Sequence, residues 1–326
     1  MKNLMLNFHQ FFFKPVDQFP LVFLRISIGL FGLLQCGFLS SEWLNLYGVN
    51  GYVEWFISYD LFSIKELPSI VGLANFLMPL GITDNMVVIL ITCIYVVALL
   101  GVTLGWHTKI MVVTAWLSHF MLCNTAMTFG YGVETFLHVG LFYLIFAPCN
   151  FYLSLDKLQG RGAEVSVTPN AKFIIRIIQI HLCLVYFNAG IAKMMGDDWL
   201  QGEAVWYVIG NTNYSQFDLS FLASIPIIPK LMSWWTLVIE TAFLVFIYWK
   251  PSRRLWAINI IFLHIGIGLL MGLNMFALIM IILNIGAFWW QIFPTFWDTF
   301  KTRCTNLNAL GFQSSLNIKI NLGKWT

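Results

Sequence analysis

A few ionisable side chains lie inside the long apolar runs of this sequence, and these are the residues with the means to do chemistry. A titratable group within an apolar span is costly to hold there, so it usually faces other protein and often marks function. The residues are Arg25, His119, Glu134, His138, Arg176, His181, Lys193, Glu240 and His264.

Five of these residues are predicted at a comparable depth, in the outer half of their spans. Glu134 and His138 are four residues apart and therefore share one helix face. Lys193, Glu240 and His264 lie in three later apolar runs. We expect the five to meet in one cavity and to position a ligand or relay protons. For each residue alone, an ordinary hydrogen bond between helices remains an alternative.

Lys193 lies in the stretch YFNAGIAKMMGDDWLQG, residues 186–202. On a helix, Tyr186, Ala189 and Gly190 share its face, and the small residues leave room for a flat ligand or a second backbone. A lysine in a dry pocket gives up its proton more readily, because desolvation disfavours the charged form, and it can then act as a general base. A lysine that anchors a helix end in the headgroups has the same pattern. The residues alone leave both interpretations open.

The other intramembrane groups favour structural roles. Arg25 and Arg176 lie near helix ends, where we expect them to extend into the headgroups. His119 and His181 lie near mid-span, where we expect neutral histidines bonded to a neighbouring helix. The cysteines show no CxxC or Cys/His ligand spacing, so we predict no metal site.

The elements that position these groups are long apolar helices. Of the 326 residues, 59% are hydrophobic and 10% are charged, whereas a soluble domain has roughly 25% charged residues. A spanning helix needs about 20 apolar residues. We therefore predict an all-α integral membrane protein, a bundle of about eight transmembrane helices with interfacial segments near 67–82 and 217–230. The predicted spans lie near 18–40, 86–105, 110–128, 133–154, 172–194, 232–250, 254–272 and 274–292.

Loop charges predict the orientation, because Lys and Arg favour cytoplasmic loops. Positive residues concentrate before the first span and in every second connection after it, which predicts that both termini are cytoplasmic. The remaining connections carry only Lys65, Lys193 and Lys230 as positive residues. We expect an interfacial segment at 1–17, a transmembrane domain at 18–292 and a short cytoplasmic tail, a strand or loop, at 293–326. The net charge of +3 and the lack of a basic run predict no nucleic-acid partner.

The stretch YFNAGIAKMMGDDWLQGEAVWY resembles the YFxAGxxK…WxxG signature of the vitamin K-dependent gamma-carboxylase and of the HTTM (horizontally transferred transmembrane) family built around its membrane core. RISIGLFGLLQ and FGYGVETFLHVGLFYLIF are similar to the first and fourth spans of that family. TLVIETAFLVF and the following spans resemble its later pair, with an acid in one helix and a histidine in the next. The resemblance covers residues 18–292.

The resemblance implies a role for each candidate residue. In the carboxylase, a lysine of this motif is thought to deprotonate reduced vitamin K, and the oxidised quinol then yields a base that starts glutamate carboxylation. Lys193 stands at that lysine position. We expect reduced vitamin K or another quinol as cofactor, and no metal. Proton positioning would fall to Glu134, His138, Glu240 and His264, and the cofactor pocket would include Tyr186, Asn188, Gly190 and Trp199.

The resemblance also implies partners and a location. The carboxylase continues into a β-rich portion that recognises its substrate, and this 326-residue chain shows no such portion. Short HTTM proteins look bacterial, and some resemble the membrane component that matures a peptide toxin in sporulation-delaying systems. We therefore expect a multi-pass protein of a bacterial cytoplasmic membrane, in contact with membrane lipid, with an exported peptide substrate and separate substrate-capture proteins. The alternative is a non-enzymatic partner in maturation, export or immunity of a secreted peptide. A transporter is disfavoured, because no paired repeat is visible.

Overall fold

The structure, a computed structural model, describes residues 2–61, 67–126, 130–211 and 215–304, and it is almost wholly helical there. The α-helices are α1 (Lys2–Phe13), α2 (Phe19–Leu39), α3 (Trp43–Tyr47), α4 (Trp55–Leu61), α5 (Ile70–Leu77), α6 (Asp84–Leu104), α7 (Thr108–Thr125), α8 (Gly132–Phe146), α9 (Leu155–Leu158), α10 (Pro169–Met194), α11 (Asp197–Gln201), α12 (Ala204–Gly210), α13 (Ile227–Phe246), α14 (Arg253–Met271), α15 (Asn274–Asn284) and α16 (Trp290–Ile292). A π-helical stretch, Ile285–Trp289, joins the last two. Two short strands, β1 (Val16–Asp17) and β2 (Val167–Thr168), pair antiparallel, with Val16 opposite Thr168.

Six helices of the described chain are long and apolar enough to cross a membrane: Phe19–Tyr47, Asp84–Leu104, Pro169–Met194, Ile227–Phe246, Arg253–Met271 and Asn274–Ile292. The predicted class, an all-α membrane protein, is confirmed. The predicted spans at 110–128 and 133–154 do form helices, α7 and α8, but neither is among the six. Helix α8 has only 15 residues, because it ends at Phe146, just before the Ala147–Pro148 pair that disfavours helix. Polar side chains such as Ser118, His119 and Asn124 interrupt the apolar character of α7.

Helix α2 runs through the middle of one half of the bundle and contacts α6, α8 and α15. Its core side chains include Leu24, Ile28 and Phe31, all nearly inaccessible. Gly29 lets α6 come close, since a Cβ there would lie 3.1 Å from the backbone nitrogen of Thr103. In the other half, α10 packs along α13, and α14 packs along α15.

The prediction that Arg25 reaches the headgroups is wrong. Its side chain is fully buried, and its Nη1 atom donates to the carbonyls of Val102 (2.7 Å) and Thr103 (3.0 Å). Its Nη2 atom donates to the carbonyl of Leu153 at 2.6 Å. The last carbonyls of a helix lack an amide partner one turn further on, so they can accept these bonds, and the Val102 carbonyl also accepts from the Gly105 amide at 3.2 Å.

Arg176 is also largely buried, with 9% of its surface exposed, and contacts protein. Its Nε atom donates to the carbonyl of Phe11 at 3.1 Å, and its guanidinium lies over the Phe11 ring at 4.1 Å. The arginine therefore binds α1 to α10. Both arginines donate to backbone carbonyls of other elements.

Asp156, in the connection between α8 and α10, fixes the start of α7. Its carboxylate accepts hydrogen bonds from the backbone amides of His107 and Thr108 and from the Thr108 hydroxyl, at 2.7–2.8 Å. Burial by itself would raise the pKa of Asp156, but these bonds outweigh it and lower the pKa below the ordinary 3.8. The negative charge also suits a helix N-terminus.

His119 and His181 form hydrogen bonds between helices, as predicted. His119 of α7 approaches His138 of α8 (Nδ1 to Nδ1, 3.3 Å), and His181 of α10 approaches the Tyr143 hydroxyl of α8 at 2.8 Å. In the predicted tail, residues 294–304 form a further helix beyond α16, where a strand or loop was expected. The rest of the tail, 305–326, with Lys319 and Lys324, lies outside the described residues, as does Lys65.

Candidate functional site

A cavity of about 490 Å³ lies between α10, α11, α12, α13, α14 and α15. This volume falls within the roughly 300–1,000 Å³ of small-molecule sites. Most of the wall is aliphatic or aromatic, and the polar atoms gather at Lys193, Thr236 and Glu240. The remaining lining residues are Trp199, Val205, Val208, Ile209, Met232, Trp235, Phe262, Leu263, Gly266, Ile267, Leu270, Met271, Leu273 and Phe276.

Lys193 and Glu240 form an ion pair on this wall. The Lys193 Nζ atom donates to Glu240 Oε2 at 2.5 Å, and the two side chains are 25% and 7% exposed. Lys193 also lies over the ring of Trp199, 5.4 Å from its centre, an arrangement that favours a cation. The lysine at the end of α10 thus turns inward to α13. Its partner is protein, which is not the arrangement expected of a headgroup anchor.

Gly190 allows this pair to form. A Cβ at Gly190 would lie 2.8 Å from the backbone nitrogen of Thr241 and 3.0 Å from its Cα atom. The backbones of α10 and α13 therefore touch at this position, as small residues at helix crossings allow. Lys193 lies one turn after Gly190, and Glu240 directly precedes Thr241, so the crossing places both side chains together. Gly190 was predicted to line the cofactor pocket, but here its contact is with α13.

Tyr186, His264 and Asn284 form a buried hydrogen-bonded group among α10, α14 and α15. Asn284 Nδ2 donates to the Tyr186 hydroxyl at 2.5 Å, and that hydroxyl lies 2.8 Å from His264 Nε2. The hydroxyl thus links the asparagine amide of α15 to the histidine ring of α14. His264 Nδ1 and Asn284 Oδ1 have no hydrogen-bond partner among the described residues. These are spare polar atoms in a buried site.

Neither Tyr186 nor His264 lines the 490 Å³ cavity, although both were predicted to belong to its site. His264 contacts the lining residue Phe276, with ring centres 5.8 Å apart, and so lies directly behind the wall. Sequence reasoning missed Asn284 altogether. Its signal was an amide inside the apolar run 274–292, which needs a partner within the bundle.

Glu134 and His138 belong to a second cavity, of about 330 Å³, lined by Phe120, Cys123, Asn124, Gly130, Glu134, Thr135, His138 and Val139. Glu134 accepts from Gln35 Nε2 and from the backbone amide of Tyr131, both at 3.0 Å, and the latter bond caps the start of α8. His138 pairs with His119. The expectation that all five residues line one cavity is therefore wrong, because Glu134 and His138 line a different cavity from Lys193 and Glu240.

Of the two remaining predicted site residues, Trp199 lies on the wall of the first cavity and Asn188 lies on the protein surface. Trp199 lines the first cavity, as expected. Asn188 is exposed on α10 and does not line it, because two residues beyond Tyr186 a helix presents another face. Within the described chain, no group of three His, Cys, Asp or Glu side chains is placed to hold a metal ion.

The arrangement offers defined chemistry. A cation and an acid in contact, one of them well buried, can bind a hydroxyl or carbonyl at the polar end of a ligand and exchange a proton with it. The apolar wall would receive a hydrophobic ligand body and would keep water from the pair.

A helical bundle with six apolar helices of spanning length is a multi-pass integral membrane protein. The chain matches the HTTM domain over residues 13–289 and belongs to the HTTM family. The resemblance expected from the Lys193 motif is therefore confirmed at the level of the family.

The chain is also similar to the uncharacterized protein YitO of Bacillus subtilis (strain 168). The two are 23% identical over 264 residues, which cover 74% of this chain and 84% of YitO. No solved structure matches the chain.

Proposed function

We propose that this protein is a membrane-embedded, gamma-carboxylase-like enzyme that binds a quinol in the Lys193–Glu240 cavity and modifies an exported peptide. The observation that carries the proposal is the ion pair of Lys193 and Glu240 on the wall of an otherwise apolar cavity. The family membership supplies the expectation that the lysine is the general base.

The residues of the cavity suit a quinol such as reduced vitamin K, which has a flat head, polar hydroxyls and an apolar tail. Trp199 and Trp235 offer flat surfaces to the head, while Ile267 and Leu270 belong to the apolar wall that would take the tail. The Nε1 atom of Trp235 donates to Asn259 Oδ1 at 3.0 Å, which fixes the orientation of that ring. When bound, the quinol would supply the reducing power for reaction with oxygen.

Lys193 needs an unprotonated amine to act as a base. Glu240 can accept the proton of the ammonium. Transfer of that proton across the 2.5 Å contact converts the ion pair into a neutral amine and a neutral acid. A neutral pair avoids the desolvation cost that a low-dielectric site imposes on two charges. The amine can then accept the proton of a ligand hydroxyl. Trp199, over the lysine, favours its protonated form afterwards.

We further propose that both termini face the cytoplasm, on the basis of the alternating loop charges. The cavity then opens toward the extracytoplasmic side, where an exported peptide would meet it. The bacterial cytoplasmic membrane is the location that best suits similarity to a Bacillus protein. Separate proteins would capture the substrate.

The test is oxygen consumption by the purified protein in lipid nanodiscs with reduced vitamin K or menaquinol. We expect Lys193→Ala to lower the rate by roughly 100-fold or more, the usual contribution of a general base. Lys230→Ala is the matched control, because Lys230 lies over Trp234 at 5.3 Å and does not line the cavity. Full activity of a correctly inserted Lys193→Ala protein would overturn the assignment.

One observation favours a second candidate, a non-enzymatic partner of a secreted peptide. The ion pair with Glu240 and the contact with Trp199 both favour the protonated lysine, which can bind but cannot act as a base. In that case the wild-type protein would bind quinol or peptide in the cavity but consume no oxygen with any quinol, and Lys193→Ala would reduce binding alone.

A further inference from the structure

Three positive side chains gather at the end of the bundle that carries the N-terminus: Lys14, Lys172 and Arg176. Lys172 is in the first turn of α10, and Arg176 is four residues later on the same face. Lys14 directly follows α1. The rings of Phe13 and Phe173 stack with centres 5.4 Å apart, so the end of α1 is held against the start of α10.

No carboxylate of the described residues pairs with these three cations. Lys172 is only 7% exposed, yet its ammonium makes no hydrogen bond or ion pair within the described chain and lies over the Trp290 ring at 5.3 Å. The positive charges of Arg176 and Lys14 act on it. Asp17, close by in sequence, is already paired with Lys301 at 2.7 Å. A lysine with no carboxylate beside it and two further cations nearby suits an anion from elsewhere.

Arg176 retains donors for such an anion. Its Nε and Nη1 atoms donate to the Phe11 carbonyl and to Gln179 Oε1, both neutral acceptors. The Tyr248 hydroxyl also hydrogen-bonds to the guanidinium, which has five N–H donors in all. The guanidinium is therefore held in place by neutral partners, with its charge uncompensated and N–H donors left for an anion.

The surface next to the cluster is apolar. On α1, Met5, Leu6 and Phe8 are 71%, 55% and 63% exposed. A helix with such a face, followed by a lysine, is suited to lie in the membrane interface with its apolar side chains among the acyl chains. An amphiphile whose charged group reaches Lys172 would have its chains beside this face.

We propose that Lys14, Lys172 and Arg176 form a site for the phosphate of an anionic phospholipid, whose acyl chains lie along α1. Basic pockets at the ends of membrane helices recognise anionic headgroups in this way. The site is separate from the Lys193–Glu240 cavity and does not depend on the function proposed for it.

The test compares lipid binding to the full chain in mild detergent, by native mass spectrometry and by titration with phosphatidylglycerol or phosphatidylcholine. We expect the wild type to bind phosphatidylglycerol more tightly than phosphatidylcholine. Each interfacial cation contributes about fivefold in affinity, so the pair of changes Lys14→Gln and Lys172→Gln should weaken phosphatidylglycerol binding roughly 25-fold. The pair Lys14→Arg and Lys172→Arg should restore it.

Lys157→Gln is the matched control. Its ammonium donates to the Ala163 carbonyl at 2.8 Å and lies over the Phe151 ring, so the lysine already has partners, and binding should not change. If the double glutamine variant fails to fold, the salt dependence of the wild type is the measurement. Binding of phosphatidylglycerol should weaken as salt rises from 0.05 to 0.5 M, and binding of phosphatidylcholine should not.

Three results would overturn the proposal. They are equal affinity for the two lipids, wild-type affinity of the double glutamine variant for phosphatidylglycerol, and displacement of the lipid by millimolar inorganic phosphate. The last would mean that a soluble anion, not a lipid, is the ligand.

Discussion

Removing either half of the Lys193–Glu240 pair should destabilise the protein, but by unequal amounts. The Glu240 side chain is 7% exposed and the Lys193 side chain is 25% exposed. Lys193→Met would leave a carboxylate inside the bundle without its cation. Glu240→Gln would leave an ammonium that can turn toward water and can still donate to the new amide oxygen.

The magnitudes follow from burial. Breaking a fully buried ion pair costs about 3–5 kcal/mol. The partial exposure of Lys193 reduces this, and we expect about 2–3 kcal/mol for Lys193→Met. For Glu240→Gln we expect about 1 kcal/mol, because one charge-assisted hydrogen bond becomes an ordinary one. The double change Lys193→Met with Glu240→Leu should recover most of the loss, since two well-packed apolar groups can replace a buried pair.

The assay is the free energy of unfolding, in one detergent, of the wild type, of Lys193→Met, Glu240→Gln and Glu240→Leu, and of the double variant. The double-mutant cycle formed by Lys193→Met, Glu240→Leu and their combination then isolates the coupling between the two sites, for which we expect about 1.5–2 kcal/mol. Additive effects would refute the reasoning, because they would mean that the two groups do not interact. A loss for Glu240→Gln as large as that for Lys193→Met would refute the account of burial.

Three further changes test other contacts. Gly190→Leu should cost about 1–3 kcal/mol of unfolding free energy and separate Lys193 from its acid, because the new side chain meets the α13 backbone, while Gly37→Leu, with open space around it, should cost far less. Tyr186→Phe should cost about 1–3 kcal/mol in the same assay, since two buried partners lose their hydrogen bonds. Because the pKa of Asp156 is lowered on folding, its contribution is present above pH 3.8 and is lost as pH falls through the folded value. The wild type should therefore lose stability in acid relative to Asp156→Asn, and equal slopes against pH would contradict this.

The sequence contains enough information to predict that Lys193 contacts an acid on another helix, because the signal lies in the residues next to Lys193. Lys193 lies one turn from Gly190, and a glycine at that spacing predicts a close crossing helix. An acid in another apolar run was the natural partner for a lysine beside such a crossing. Only the identity of the crossing helix, α13, required the fold.

The wrong prediction that Glu134 and His138 lie in one cavity with Lys193 shows which information the sequence does not contain. Depth in a membrane can be estimated from position within a run, and all these residues are at plausible depths. The order of helices around the bundle cannot be estimated in that way. Helix α8 packs against α7 and α2, so its polar residues meet His119 and Gln35 instead.

The prediction that Arg25 reaches the headgroups was wrong for a related reason. A long cationic side chain near a helix end reaches headgroups unless carbonyls are closer. The carbonyls that it binds belong to Thr103, Leu153 and their neighbours, 77 to 128 residues away in sequence. No local pattern around Arg25 indicates them.

Those separations have a consequence for the biogenesis of the protein. When α2 first enters the membrane during synthesis, none of the carbonyls that satisfy Arg25 has yet been made. The first acceptors arrive with the end of α6 and the last with residues 152–153, after α8. Until then the guanidinium must be solvated by water or headgroups, so the helix can settle to its final depth only when the ribosome has passed residue 153. Truncation of the nascent chain before that point should leave α2 held nearer to the membrane surface than in the finished protein.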